Sequence, residues 1–165
     1  MQRSCRDVFS FGNLHFLFYK KEKAERKVRG MLVIDAKNAV LGRMAVFAAK
    51  KLMAGEIISI INAEQCIITG NPDTIKQYYL SKRKKGSAHH GPYFPKAPHM
   101  IVRRTVRGML PYKKTKGKNA LRNLKVYIGI PDAIKDQPEN IASRPIRSTY
   151  IKLEEISRFL GWRPY

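Results

Sequence analysis

The side chains with the clearest chemical potential are cations in the middle of the chain. Residues 74–131 contain 15 Lys or Arg residues and no Asp or Glu. Ammonium and guanidinium groups bind phosphate oxygens, and the planar guanidinium also stacks on nucleic-acid bases. A solvated surface usually mixes both signs of charge, because a segment of one sign repels itself. This segment therefore predicts an anionic partner, and the default polyanion is nucleic acid.

These cations form an ordered surface if residues 99–110 are a helix. At 3.6 residues per turn, one face of that helix is apolar, with Val102, Val106 and Met109. The opposite face carries three arginines, Arg103, Arg104 and Arg107. A solvated helix face is the alternative interpretation. The next segment, PYKKTKGK, is predicted to be a flexible loop, which favours binding along a nucleic-acid backbone. It contains four lysines, Lys113, Lys114, Lys116 and Lys118, and Arg122 continues the basic stretch.

A second basic run lies at the end of the helix predicted after residue 71. It comprises Lys82, Arg83, Lys84 and Lys85. Such a run is typical of nuclear-localisation signals, nucleic-acid patches and merely solvated helix ends. A loop rich in Gly and Pro follows, and its side chains His89, His90, Tyr93 and Phe94 are candidates to stack on unpaired bases. The two aromatic rings fit equally well a role in packing the loop onto its own domain.

The residues present disfavour metal and redox chemistry. Only two cysteines occur, Cys5 and Cys66, without the spacing of metal ligands or of a disulfide framework. The histidines have no accompanying Cys or carboxylate set, so we expect no metal site. Cys66 lies in an apolar run and is predicted to be a small core residue.

Catalysis and membrane insertion are also disfavoured. The phosphate-binding glycine motifs and a nucleophile elbow are missing, so we expect no active site, no cofactor and no small-molecule substrate. A net charge of +21 with a pI near 10.3 argues against a free-standing metabolic enzyme. No stretch approaches 18 apolar residues, so no membrane span is expected. A nucleotide-dependent α/β enzyme is the alternative that strand–helix alternation alone suggests.

The elements that position these side chains begin after residue 30. MLVIDA (31–36) is a short apolar run with β-branched residues and predicts a strand. Asn38 is expected to cap a helix that runs to about Ala54, with Gly55 ending it. On a helical wheel, five apolar residues share the inner face of this helix, namely Leu41, Met44, Ala45, Ala48 and Leu52.

The alternation of strand and helix continues along the chain. Strands are predicted at 56–63 and 66–70, and Asn71-Pro72-Asp73 is a strong helix start. Residues 86–98 are predicted as loop, and residues 121–129 as a helix end followed by a strand. A final helix ends at Gly161. This alternation predicts an α/β domain with a largely parallel sheet.

Residues 1–30 differ from the rest of the chain. Their second half, KKEKAERKVRG, is nearly all charge, and the strand pattern starts directly afterwards at Met31. A charged stretch of this kind usually stays solvated or lies on a polyanion. The alternative is that translation starts at Met31. We therefore expect a charged leader over 1–30, disordered or from a misassigned start, and one domain over 31–165 with a basic arm and loop at about 82–125.

Four segments, in their order along the chain, resemble one known family. They are IDAKNAVLGRMA (34–45), IINAEQCIITGN (60–71), GPYFPKAP (91–98) and RRTVRGMLP (103–111), the last followed closely by KKTKGKNALRNLKVYIGIPD. Together they resemble the large-subunit ribosomal protein L13 family in its archaeal and eukaryotic branch. The resemblance covers residues 31–165 and leaves out the leader. The long C-terminal extension of eukaryotic relatives is absent, which favours an archaeal source.

The resemblance implies a three-layer α/β/α domain with a small, mostly parallel sheet and basic loops. It also implies a structural, non-enzymatic protein of the cytoplasmic ribosome that binds large-subunit rRNA, assists subunit assembly and contacts neighbouring ribosomal proteins. The basic residues around the RRTVRGMLP segment become the best candidates for rRNA contact, and Gly108 and Pro111 are expected to shape the helix exit. An RNA-binding role away from the ribosome is the alternative.

Overall fold

The computed structural model describes residues 31–87, 89–132, 134, 138–140 and 148–163. The leader predicted over residues 1–30 lies outside the described residues. The strands are β1 (Leu32–Asp35), β2 (Ile58–Ile61), β3 (Ile67–Thr69), β4 (Leu124–Val126), β5 (Glu139–Asn140) and β6 (Tyr150–Lys152). The helices are α1 (Leu41–Met53), α2 (Pro72–Lys84), α3 (Pro98–Met109), α4 (Thr115–Arg122) and α5 (Leu153–Phe159), and Ala63–Gln65 forms one turn of 3-10 helix.

Four strands form one parallel sheet in the order β4-β2-β1-β5. All four residues of β2 are buried. Successive side chains of a strand point to opposite faces, so both faces of the sheet are covered at β2, as a three-layer arrangement requires. Strands β3 and β6 form a separate antiparallel pair. The predicted α/β domain with a small, mostly parallel sheet is thus confirmed.

The main hydrophobic core joins the sheet to α1, α3 and α5. Ile34, Ile58 and Ile60 of the sheet belong to it, with Leu153 and Ile156 from α5. The face of α1 predicted to be apolar is buried in this core at every predicted position, namely Leu41, Met44, Ala45, Ala48 and Leu52. Helical periodicity therefore predicted the inner surface of α1 correctly.

The start of α1 differs from the prediction. Asn38 does not cap the helix, because it adopts a left-handed conformation (φ 57°) and its backbone N–H donates to the Gln65 carbonyl (3.2 Å). The helix begins instead at Leu41, after Val40, which pairs with Ile67 in an isolated parallel bridge. This pairing with a distant segment holds the residues before Leu41 outside the helix.

The predicted start of α2 is confirmed. The Asn71 side chain accepts a hydrogen bond from the backbone N–H of Asp73 (3.0 Å), and Pro72 is the first helical residue. None of the α2 residues is fully buried, but three pack partly buried against the core, namely Ile75, Tyr79 and Leu80. The helix therefore lies at the edge of the core, and its basic end remains accessible.

The inner face of α3 is partly different from the predicted one. Val102 and Val106 are fully buried as predicted, but the third inner residue is Ile101, which is 1% exposed. Met109, which the helical wheel places on the same apolar face as Val102 and Val106, is 41% exposed. Met109 is the last residue of α3, and the chain then becomes extended at Leu110 (ψ 150°), which enters the core instead.

The second half of the segment predicted as a lysine-rich loop is helical. Residues 115–118 form the first turn of α4, so Lys116 and Lys118 lie on a helix. Gly117 is buried, and a Cβ at this position would overlap the Pro111 carbonyl. Gly117 therefore serves close backbone packing and does not make the segment flexible. This packing explains why tertiary structure overrides the local loop signals.

The C-terminal elements combine confirmed and unexpected features. The final helix is confirmed, with acids in its first turn, Arg158 in its last and Gly161 in a left-handed conformation (φ 81°) just beyond it. Strands β5 and β6 were not predicted, since each has only two or three residues and is defined by pairing with a distant strand. Most of the connection between them lies outside the described residues.

Candidate nucleic-acid interface

The three predicted arginines of α3 converge on one groove. We call it the arginine groove; its volume is about 490 Å3 and its walls are Tyr93, Phe94, Pro95, Met100, Arg103, Arg104, Arg107 and Leu121. Residues from the loop before α3 and from α4 complete these walls. The groove combines guanidinium groups with aromatic and aliphatic surface, which is the mixture that binds RNA phosphates and unstacked bases.

Arg104 is the most firmly held of the three arginines. Its guanidinium lies 4.6 Å from the centre of the Phe94 ring and donates a hydrogen bond to the Tyr93 carbonyl (3.0 Å). Arg107 lies 5.6 Å from the ring centre of Tyr112. These contacts restrict two long side chains before any ligand binds. The two side chains therefore lose less conformational entropy when a ligand binds to them.

The aromatic residues of the Gly/Pro loop have different environments. Phe94 is half-buried and packs edge-to-face on Tyr79, with ring centres 5.5 Å apart. Of the two roles left open by the sequence, Phe94 thus has the packing role. Tyr93 is 68% exposed on the wall of the arginine groove, where its ring is accessible to a ligand.

A second groove lies on the other side of Arg104. We call it the glycine groove; it has a volume of about 490 Å3 and is formed by Val40, Leu41, Gly42, Ile67, Ile68, Thr69, Tyr78, Tyr79, Lys82, Phe94, Arg104, Thr105 and Gly108. Lys82 lies on α2 with its ammonium 4.3 Å from the ring centre of Tyr78. All four sequence segments that carry the family resemblance contribute to this groove, although they are distant along the chain.

The second basic run is divided by the structure. Arg83 is half-buried, and its guanidinium donates to the carbonyl of Leu160, next to α5. Arg83 therefore ties the end of α2 to the end of α5. Lys84 and Lys85 are exposed. Lys85 also lines a smaller groove of about 360 Å3 together with Lys96 and Tyr93.

The remaining predicted residues are exposed but lie apart from the arginine and glycine grooves. His89 and His90 are in a tight turn in which the Ser87 hydroxyl accepts a hydrogen bond from the His90 backbone N–H (3.3 Å). The cations that precede or lie on α4 are all exposed, namely Lys113, Lys114, Lys116, Lys118 and Arg122. They extend the positive surface beside α3 without lining either groove.

Three residues in or beside the grooves were missed by the sequence reasoning. Tyr78, Met100 and Tyr112 are large and exposed, and each contributes a ring or thioether near a predicted cation. Tyr78 could have been predicted from the sequence, because Tyr78 and Lys82 are four residues apart and therefore share one helix face. The others were recognisable only from the tertiary arrangement.

Burial perturbs the pKa of a few side chains around these grooves. Burial, followed by the positive charge of Arg103, lowers the pKa of His99. Burial raises the pKa of Tyr79 to about 12. Cys66 is a core residue as predicted, because its thiol is fully buried, donates to the Ala39 carbonyl (3.2 Å) and has a pKa raised by burial to about 12. It is therefore unsuited to act as a thiolate nucleophile.

Two kinds of feature are absent from the described residues. Across them, no group of three or more His, Cys, Asp or Glu side chains is placed to hold a metal ion. No helix among them is long and apolar enough to cross a membrane.

Comparison with known proteins decides which family this fold and surface belong to. The sequence model of the family described as Ribosomal protein L13 matches residues 29–133. The chain belongs to the ribosomal protein L13 family. The match to this family includes β1 to β4 and α1 to α4, and hence every residue that lines the two grooves.

Archaeal members of the L13 family are similar over most of the chain. The protein named large ribosomal subunit protein uL13 of Methanosarcina barkeri is 46% identical over 137 residues, which cover 79% of this chain and 98% of the relative. The uL13 proteins of Methanocaldococcus jannaschii and Methanopyrus kandleri are 45% and 44% identical over 135 and 138 residues. These alignments cover 79% of this chain in both cases, and 98% and 87% of the relatives.

Proposed function

We propose that this chain is a structural constituent of the large ribosomal subunit that binds large-subunit rRNA and helps the subunit to assemble. The observation that carries the proposal is the convergence of Arg103, Arg104 and Arg107 on one groove of an L13-family domain. The proposed site comprises this arginine groove and the exposed cations beside it. Neighbouring ribosomal proteins are its further partners, and the ribosome of the cytoplasm is its location.

Binding rests on charge and shape, with no catalytic step. Each Lys or Arg that neutralises a phosphate releases a condensed counterion, so affinity falls linearly in a plot of log K against log salt. Folded RNA is recognised through its shape, its 2′-hydroxyls and its unpaired bases. The segment of 58 residues with 15 cations and no acid is suited to neutralising phosphates. The two grooves are suited to recognising the shape and the unpaired bases of folded RNA.

Gradient fractionation of a native lysate tests the proposal directly. We expect the chain in the large-subunit peak at about one copy per particle, retained after a salt wash that removes loosely bound basic proteins. Quantitative mass spectrometry of the washed peak measures that copy number. Complete release by salt, or absence from the peak, contradicts the proposal and favours an RNA partner away from the ribosome.

A further inference from the structure

Two helical glycines have no explanation inside the protein. Gly42 lies in the first turn of α1 and Gly108 in the last turn of α3, and both are exposed. Neither has a left-handed φ, and within the described part of the chain a Cβ added to either meets no neighbouring atom within 4 Å. Glycine destabilises a helix relative to alanine. Neither backbone conformation nor internal packing therefore requires glycine at these two positions, whereas Gly117 is required by packing.

Both glycines open onto the same groove. Gly42 and Gly108 line the glycine groove, and the absence of side chains there leaves the backbone of two helices accessible from outside. Missing Cβ atoms at a concave surface allow a ligand to approach the backbone closely. The two glycines thus widen a groove that larger residues would narrow.

The remaining walls of the glycine groove define the chemistry of its ligand. Leu41, Ile68 and Phe94 provide apolar surface, while Lys82 and Arg104 provide positive charge. Among the described residues, no Asp or Glu lines the groove. Its volume of about 490 Å3 lies within the range of roughly 300–1,000 Å3 that is usual for small-ligand sites. The matching ligand has a flat apolar part and an attached anion.

We propose that the glycine groove binds one unpaired nucleotide of the RNA, with its base against the apolar wall and its phosphate at Lys82 and Arg104. This inference rests on the proposed RNA-binding function and specifies the structure of the RNA at one point. Tyr78 is 52% exposed at the groove and offers a ring on which a base stacks. A fully paired duplex has no base available to enter, because its bases are stacked on one another.

The test compares two synthetic RNA hairpins whose strands are joined by the same non-nucleotide linker, so that neither has unpaired loop bases. The two hairpins are identical except that one carries a single extrahelical adenosine in the stem. Their affinities for the full chain are measured at one fixed salt concentration and again over a salt series. We expect the bulged hairpin to bind at least about fivefold more tightly, since stacking of one base is worth roughly 1–3 kcal/mol. Both hairpins show salt-dependent binding, because phosphate contacts are common to them.

The groove is then filled without a change of charge. We expect Gly42→Leu and Gly108→Leu to abolish the preference for the bulged hairpin while the affinity for the paired hairpin changes less than twofold. Thermal unfolding of the same samples reports folding, and both midpoints are expected to rise by about 2–4 °C because leucine favours helix over glycine. Gln77→Leu is the matched control, since Gln77 is exposed on α2 outside the groove.

The outcomes separate this inference from the function on which it rests. Equal, salt-dependent binding of both hairpins by the unaltered chain overturns the nucleotide site and leaves RNA binding intact. A preference that survives in both folded glycine variants also overturns it. If neither hairpin nor large-subunit rRNA binds, RNA binding itself is contradicted.

Discussion

The guanidinium of Arg104 lies 4.6 Å from the centre of the Phe94 ring, and these two residues are the ones that both grooves share. The contact joins the Gly/Pro loop to α3 at the boundary between the arginine groove and the glycine groove. The loop has no helix or strand of its own over residues 92–96, so this pair and the Tyr79–Phe94 contact help to hold it on the domain. The shape of the surface proposed to bind RNA therefore depends on these side-chain contacts.

Removal of the three α3 arginines should weaken RNA binding and reduce its salt dependence. For Arg103→Ala, Arg104→Ala and Arg107→Ala combined, we expect the slope of log K against log salt to fall in magnitude by about 0.7–0.9 for each phosphate that the variant no longer neutralises. Titration of large-subunit rRNA over a salt series measures this slope. A charge-matched control replaces Lys37, Lys50 and Lys152, which are exposed outside both grooves, with Ala. An equal decrease in both triple variants would show that only total charge matters.

The Arg104–Phe94 contact should be measurable as a coupling free energy. Single variants Arg104→Ala and Phe94→Leu and the double variant form a cycle, and we expect a coupling of about 0.5–1 kcal/mol in the free energy of unfolding, as for a cation held on an aromatic ring. Urea unfolding of the four proteins supplies the data. Strict additivity within error would mean that the two groups do not stabilise one another.

Two glycines should respond in opposite ways to the same substitution. Gly117→Ala is expected to lower the free energy of unfolding by about 1–3 kcal/mol, because its Cβ would overlap the Pro111 carbonyl. Gly108→Ala is expected to raise it by about 0.5–1 kcal/mol, because the site is open and alanine favours helix. Urea denaturation of both variants is the measurement. The same sign of change in both would contradict the packing described for α3 and α4.

The corrected inner face of α3 predicts a large difference between two apolar residues. Ile101→Ala should lower the free energy of unfolding by about 2–5 kcal/mol, because the side chain is fully buried in the core. Met109→Ala should change it by no more than about 0.5 kcal/mol, since Met109 is an exposed residue at the helix end. Thermal or urea unfolding distinguishes the two. A comparable destabilisation in both variants would show that Met109 is packed in the core.

The lowered pKa of His99 predicts a loss of stability on acidification. In the unfolded chain the imidazole takes up a proton near pH 6.5, whereas burial and Arg103 keep it neutral to a lower pH in the folded state. The unfolded state therefore binds more protons below about pH 6.5, and stability decreases as the pH falls through the window down to the folded-state pKa. NMR titration of the imidazole measures that pKa directly. His99→Gln should reduce the pH dependence of unfolding in this window, and a pKa at or above 6.5 would contradict the prediction.

Much of the local structure could be predicted because it depends on neighbours in sequence. The inner face of α1, the Asn71 cap and the strands around Val33 and Ile60 follow from periodicity and capping, which act over a few residues. The predictions of a helix cap at Asn38 and of a loop over residues 115–118 were wrong for a common reason. At both positions, packing against another segment of the chain outweighs the local preference.

The sequence by itself determined the alternation of strands and helices, the buried face of α1 and the single sign of charge over residues 74–131, because these are properties of composition and short-range spacing. Only the tertiary structure decided what each cation does. Arg83 is held by the Leu160 carbonyl, whereas Arg104 stands between two grooves whose walls come from segments tens of residues apart. Such walls form only when folding brings distant segments of the chain into contact. Local sequence patterns do not determine which side chains remain accessible after this packing.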